Sequence, residues 1–483
     1  MIPNHIFSSF NSFLELSILP LAILFLIFGV DDLIISFLLW WHDLKPSRLS
    51  REESLYIQEI PEKSIAILVA SWKEAGVLGK MVRGNLNLIQ YSRFDFYLGV
   101  YPNDPDTLQE AVTLQNELPN VFVVINTKSG PTTKGQLLNE LVQFVIESER
   151  TSGTKYEGFL IHDSEDLISA HSLKIVNWLL NHYDFIQLPV FPISISCRNL
   201  VAGTYLDEFA ETHTRDLLVR SFLGLSIPSA GVGTALSRSL VQLYREKNGG
   251  YLLNPVTVTE DYELGVSTAN YRLKSIFACY YFKSHSAGPH GRSEFIATRE
   301  YFPKTWTRSV RQKTRWILGI AFQSWTRVRW SGSSSHCYFL YRDRKGPLCN
   351  LLGACGLFLL IASSIQILQS HIARNTFFNE SKFKEPEILA TILTLNLIIL
   401  IHRIYVRFKS VYLIYGFRSA LFSPLRLPIS TLINATAAAF AIYEYTKSLL
   451  SKRSIEWIKT EHELPDGFGH DVKTQNQNAS NLN

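Results

Sequence analysis

A chain of 483 residues is too long for one ordinary hydrophobic core and implies two or more units. Hydrophobic residues make up 46% and charged residues only 18%, below the ~25% usual for soluble domains, and the deficit gathers in a few long apolar runs. The net charge of +5 comes without a basic face, so a nucleic-acid partner is not expected.

The first apolar stretch covers residues 13–41 and ends in Trp40-Trp41, residues enriched at a membrane interface. No basic segment precedes it and no small-residue cleavage site follows, so it reads as a membrane helix rather than a cleaved leader. Asp31-Asp32 interrupts it, at ~2.5–3.5 kcal/mol for each charge placed at mid-membrane. The pair is expected near one membrane face or turned towards protein, or else it marks a break between two short helices.

The polar region that follows alternates apolar runs with helix-like stretches. Runs at 64–70, 94–101, 121–125, 158–161 and 185–188 read as strands. Stretches from Glu74, at 133–149 and at 171–182 read as helices. This pattern predicts an α/β fold with a mostly parallel sheet, whose ligands bind beyond the carboxyl ends of the strands. Glu74, Asp104 and Asp163 fall there.

An amphipathic stretch at 303–325 carries Trp306, Trp316 and Trp325 and suits a helix lying at the membrane interface. Runs at 347–369, 387–407 and 426–447 are long enough to span. Residues 1–15 carry no Lys or Arg, whereas Lys45, Arg48 and Arg51 follow the first run. Arg342, Arg344 and Lys345 precede the second, and Arg403, Arg407 and Lys409 close the third. This bias places the polar region in the cytoplasm. The last run admits a crossing, a hairpin that also uses 411–424, or an in-plane helix; the bias favours a cytoplasmic tail. Residues 466–483 are polar and expected to be disordered. Five cysteines (Cys197, Cys279, Cys337, Cys349 and Cys355) lack metal or disulfide-framework spacing and read as buried or lipid-facing thiols in a reducing compartment.

Three motifs carry chemistry. Asp163-Ser164-Glu165-Asp166 puts carboxylates at a strand end, where Mg²⁺ or Mn²⁺ would bridge them to a diphosphate; its plainer reading is an acidic helix cap. Thr259-Glu260-Asp261 opens a helix at 262–269, from which a carboxylate can take a proton from a hydroxyl; Thr259 or Asp261 can equally serve as N-cap. Gln312 and Arg315 share a helix face three residues apart, and Arg315 suits a diphosphate while Trp316 suits a sugar or base. Lys134, after the Gly130-Pro131-Thr132-Thr133 turn, can reach a phosphate or simply follow a Thr cap. Ser229 to Thr234 is Gly-rich, but a lone Gly-x-Gly is weak evidence. His285 and His290 read as loop residues.

In this order the motifs resemble the membrane-embedded, inverting family 2 glycosyltransferases, the class that includes cellulose and hyaluronan synthases. The resemblance covers 64–325. Pro228 to Thr234, Ile161 to Asp166 and Trp457 to Pro465 resemble the bacteriophage adsorption protein B type within it. The resemblance implies a GT-A fold and a nucleoside diphosphate sugar donor, UDP-sugar first. It implies Glu74, Asp104, Lys134 and Asp163 as substrate-binding residues, and Asp163 with Glu165 (or Asp166) as metal ligands. Asp261, with Glu260, Gln312, Arg315 and Trp316, would be catalytic.

The implied layout is a membrane helix at 13–41, a cytoplasmic GT-A domain at 45–300, an interfacial region at 301–345, membrane or interfacial helices at 347–447 and a tail at 448–483. The implied setting is a bacterial inner membrane, with a glycan or lipid acceptor. The alternative is a surface-receptor or export component, with an outer-membrane or export partner and a degenerate transferase fold. Glu165 in place of the usual second Asp, and Trp72-Lys73 before Glu74, depart from the family pattern.

Overall fold

The computed structural model describes residues 4–196, 198–283, 293–372 and 386–451. Cys197, His285, His290, the Trp457–Pro465 segment and the polar tail lie outside the described residues.

A seven-stranded sheet forms the centre of the polar region. Its strands are β1 (Ile65–Ala70), β2 (Phe94–Val100), β3 (Val121–Ile125), β4 (Gly158–His162), β5 (Phe185–Gln187), β6 (Thr234–Ser237) and β7 (Ser275–Phe277). Their order is β3-β2-β1-β4-β6-β5-β7, and only β6 runs antiparallel to its neighbours. Ile65 to Val69 are wholly buried on both faces, which is why β1 is an unbroken apolar run. Alternate residues feed two cores: Ile65, Ile67 and Val69 on one side, Ala66 and Leu68 on the other.

The helices up to this point are α1 (Asn4–Trp41), α2 (Leu78–Leu88), α3 (Pro105–Glu117), α4 (Lys134–Ser152), α5 (Ser172–Leu179), α6 (Leu200–Glu211), α7 (Arg238–Lys247) and α8 (Glu260–Ser267); α1, α2, α4, α5 and α8 answer to expected stretches, and α3, α6 and α7 are additional. After them come α9 (Trp306–Ile317), α10 (Ser334–Arg344), α11 (Gly346–Ile372), α12 (Pro386–Tyr415) and α13 (Ser423–Ser451). The Glu74 stretch becomes helical only at Leu78, because Lys73 (φ 56°) and Gly76 (φ 80°) turn the chain first.

Among the described residues, four helices are long and apolar enough to cross a membrane: Leu16–Trp41, Gly346–Ile365, Glu387–Tyr415 and Ser423–Ser451. The 411–424 hairpin does not form, since α12 continues to Tyr415 and Gly416 turns the chain.

Nor does Asp31-Asp32 break α1, which runs unbroken through the pair. The carboxylates face protein instead. Tyr338, Arg342 and Lys345 converge on Asp31, and Arg342 also bonds Asp216 at 2.6 Å. Arg215 donates to Ser36 Oγ at 2.7 Å, which ties the segment after α6 to α1. Partners of opposite charge remove the reason for a break.

A second tie is the fully buried pair between Arg426 of α13 and Asp207 of α6, 2.9 and 2.6 Å apart. Of the described cysteines, Cys279 is buried, Cys337 and Cys349 are half-buried and Cys355 is exposed, and all four are free thiols.

Candidate active site

The carboxyl edge of the sheet collects ionisable side chains from segments far apart in sequence. Thr133 caps α4, its hydroxyl accepting from the Gln136 N–H at 3.2 Å, and this sets Lys134 at the first helical position. The Lys134 ammonium donates to the Gly231 carbonyl at 2.9 Å and pairs with Asp163. Burial alone would depress it, but Asp163, Asp261 and Glu260 hold it well above the usual lysine range.

The Ser229–Thr234 loop therefore belongs to the site, although a lone Gly-x-Gly gave it little weight. Buried Gln187 fixes the loop: its amide oxygen accepts from Ala230 N–H at 3.0 Å, and its amide nitrogen donates to Val232 O at 2.8 Å. Gly231 (φ 81°) lies directly against the Asp261 carboxylate. Gly135 is as close to Glu260, where an added Cβ would stand 2.8 Å from Cγ. Thr259 occupies the N-cap position without a side-chain cap bond, and Asp261 Oδ1 accepts from the Tyr262 N–H at 2.7 Å. Burial raises both Glu260 and Asp261 above the usual carboxylate range, and Lys134 and Arg315 work against that rise.

Towards β1 and β2, Glu74 and Asp104 are both buried. Asp104 Oδ2 accepts from the Lys73 N–H at 2.6 Å, and the Glu74 N–H donates to Thr107 Oγ1 at 2.9 Å. Trp72 meets Tyr101 edge-on at 4.9 Å, with Gly130 packed on the indole. Asn103 bonds both backbone groups of Gly130 at 2.7 Å. The result is a rigid aromatic wall beside two carboxylates.

The metal candidates separate. The Asp163 side chain is 28% exposed. Glu165 is only 3% exposed, and Asp166 is wholly buried, accepting from the Asp163 N–H at 3.0 Å and bonding His162 Nδ1 at 2.6 Å. Burial pushes His162 down to about 3, so it is neutral there. No three His, Cys, Asp or Glu side chains form a metal cluster among the described residues. The donor set nonetheless suits an open Mg²⁺ or Mn²⁺ site, which keeps waters and needs only one or two carboxylates beside a diphosphate.

Sequence reasoning missed Glu300. Thr298–Arg299 pairs antiparallel with Leu167–Ile168, and this brings Glu300 towards the Asp163–Asp166 turn. Burial, then Asp166 and Asp163, raise Glu300 well above the usual range. No local sequence signal marks it.

Helix α9 brings Gln312, Arg315 and Trp316. Arg315 is half-buried and acts electrostatically on Glu260 and Asp261. Gln312 Oε1 is buried without a hydrogen-bond partner. Trp316 packs among Tyr205, Phe209 and Phe302, with ring centroids 6.1–6.5 Å away, so its indole supports the helix. Lys313, unremarked in the sequence, is buried between Glu208 (2.5 Å) and Asn434 (2.8 Å) and fastens α9 to α6 and α13.

Residues 61–319 match the family described as "Glycosyltransferase like family 2". The chain belongs to that family. Its domain is a GT-A-like α/β unit carrying long apolar helices. It is 32% identical over 477 residues to bacteriophage adsorption protein B of Escherichia coli strain K12, and equally to bacteriophage N4 adsorption protein B of Escherichia coli O157:H7. Each match covers 96% of this chain but 64% of the relative, so the chain spans less than two thirds of their length.

Among solved structures, it is similar to a mannosyltransferase from Pyrobaculum calidifontis in complex with GDP-Man and Mn²⁺, at 12% identity and TM-score 0.49, covering 89% of this chain and 99% of that one. It is also similar to glucosyl-3-phosphoglycerate synthase from Mycobacterium tuberculosis in complex with Mn²⁺, UDP and glucosyl-3-phosphoglycerate, at 14% identity and TM-score 0.29, covering 48% and 77%.

Proposed function

We propose that this family 2 site moves a sugar from a nucleoside diphosphate sugar to an acceptor hydroxyl, inverting the anomeric carbon. The observation that carries the reading is the Asp261 carboxylate, held by Gly231 at a helix start, within electrostatic reach of Lys134, Asp163 and Arg315. Asp261 takes the acceptor proton while the acceptor oxygen forms its bond to the anomeric carbon. The bond from that carbon to the diphosphate breaks, and its electron pair leaves with the nucleoside diphosphate. Lys134 and Arg315 stabilise that charge, and Glu260 tunes Asp261.

Glu74, Asp104 and the Trp72 wall suit the nucleoside. Asp163 would hold Mg²⁺ or Mn²⁺ beside the diphosphate, and the ion supplies neutralising charge. Burial of Glu165 makes it a support of the turn rather than the second ligand.

The same reading places the chain in a bacterial inner membrane, with the transferase domain in the cytoplasm. Helices α1, α11 and α12 cross, and α13 lies in plane beside α9. Relatives named for phage adsorption suit a protein that builds a surface polysaccharide or glycan. The test is purified protein in nanodiscs with Mn²⁺ and a panel of nucleoside diphosphate sugars, followed by nucleoside diphosphate release and product sizing. Turnover that Asp261→Asn removes supports the reading. Silence with every donor favours a binding platform with an inactive transferase fold.

A further inference from the structure

A cavity of about 470 Å³ lies against α8, lined by Glu260 but not by Asp261. Glu260, Glu263, Leu264 and Ser267 line it from α8, the i, i+3, i+4, i+7 positions of one helix face. Across from them stand Tyr244 of α7 and Asn248 at its C-cap, the 251–255 loop, Asn270 and Tyr271, with Arg327 at the rim.

The wall is braced. The Tyr244 hydroxyl bonds Ser267 Oγ at 2.8 Å and donates to Leu264 O at 3.2 Å, and Tyr271 packs on Tyr244 at 5.0 Å. Tyr251 is 51% exposed at the mouth. Glu263 is only 8% exposed, yet its partners are distant: Asn254 at 3.5 Å and Arg327 at 3.6 Å, both on Oε2. Its other oxygen, Oε1, has no hydrogen-bond partner. A buried carboxylate held this loosely is under-bonded and favours a ligand that donates hydrogen bonds.

The lining decides the ligand class. Two carboxylates against one guanidinium disfavour phosphates and nucleotides. Three side-chain amides (Asn248, Asn254 and Asn270) offer donors and acceptors together, and tyrosine rings offer apolar faces with polar tips. Dense hydroxyls on a ring with an apolar face match that set.

We infer that the cavity is a second saccharide site, taking a neutral sugar chain against the helix that carries the catalytic base. The inference rests on the sugar-transferase reading for its biological sense but not for its test. A chain lodged there contacts Glu260, so occupancy bears on Asp261 through α8.

The experiment uses the full chain in nanodiscs, with cellohexaose, mannohexaose and chitohexaose as probes and oligogalacturonate as an anionic control. Equilibrium binding is measured together with backbone hydrogen exchange across 244–271. At least one neutral hexaose is expected to bind and slow exchange there. Tyr251→Ala and Asn270→Ala, both at the cavity wall, are expected to weaken binding at least tenfold while leaving donor hydrolysis within twofold. Absence of neutral-hexaose binding, unchanged affinity in both variants, or binding of the anionic control alone would overturn the site. Hexaose binding lost in both variants, in a protein that turns over no donor, upholds the site and removes the transferase reading instead.

Discussion

Gly231 lies directly against the Asp261 carboxylate while its carbonyl accepts from the Lys134 ammonium at 2.9 Å. One residue thereby sets the distance between the proposed base and the cation beside it. Its φ of 81° is a conformation that only glycine adopts without strain. Gly231→Ala adds both backbone strain, of order ~1–3 kcal/mol, and a methyl group where the carboxylate sits. Sugar transfer is expected to fall at least tenfold, because a base displaced by about 1 Å loses on the order of 10²-fold. Turnover equal to wild type would show that Asp261 does not need its present position.

Asp261→Asn keeps the shape of the side chain and its bond from the Tyr262 N–H, but it cannot accept a proton. General-base loss of ~10²–10⁴-fold in kcat is expected, with donor affinity nearly intact. Isothermal titration with the nucleoside diphosphate, alongside turnover, separates the two effects. A variant that loses donor affinity and keeps kcat would move Asp261 from the chemistry to binding.

Burial raises Glu260 to about 7 and also lifts Asp261. A base works only when ionised, so the rise of kcat/KM with pH is expected to lie above the range of an ordinary carboxylate, where a free Asp would already be level. Glu263, raised to about 7 by burial, links pH to stability. Its folded value exceeds the unfolded ~4.3, so the stability it contributes is complete below ~4.3 and is lost as pH rises through about 7. Thermal unfolding of Glu263→Gln should therefore depend less on pH between these values than wild type does. Parallel curves for the two proteins would contradict the assignment.

The strands were legible because β1, β2 and β4 are largely buried on both faces, which forces short apolar runs whose length and flanking turn residues distinguish them from helices. Lys134, Asp163 and Asp261 were legible because each sits at an element's end, where sequence punctuation is strongest. Glu300 was not, since it reaches the site through a two-residue strand pairing with 167–168, a contact 130 residues away in the chain. Lys313 was hidden for the opposite reason. Amphipathic periodicity puts a lysine towards solvent, but Glu208 on another helix gives this one a buried partner. Trp316 suits a sugar platform by residue type alone, and the sequence could not show that Tyr205 and Phe302 hold its indole in place.

The Arg426–Asp207 pair is wholly buried, and Arg426 also donates to the Ser419 carbonyl at 2.7 Å. Removing one partner strands a charge in a dry contact between α6 and α13. Arg426→Met is expected to destabilise the protein by ~3–5 kcal/mol. Replacing both residues with apolar ones of similar size should recover most of that loss. The check is thermal unfolding of detergent-solubilised protein, with the double variant nearer wild type than either single one.

Helix α13 has the length of a span, but it is the least apolar of the four candidates. Its contacts explain why. Going along the chain, Lys313 bonds Asn434 at 2.8 Å, the Thr314 hydroxyl donates to Ala437 O at 3.3 Å, and Phe322 stacks on Tyr445 at 4.8 Å. Helix α13 therefore runs parallel to α9 and its continuation. Helix α9 exposes Arg308 and Arg311, which do not belong in hydrocarbon, and in the proposed arrangement both helices lie at the membrane surface. Exposed Leu432, Phe440 and Leu450 then meet the lipid interface. In a cysteine-free background, Leu450→Cys should resist an impermeant maleimide in intact cells and react in inverted vesicles. Labelling in intact cells would make α13 a fourth crossing and put its end outside.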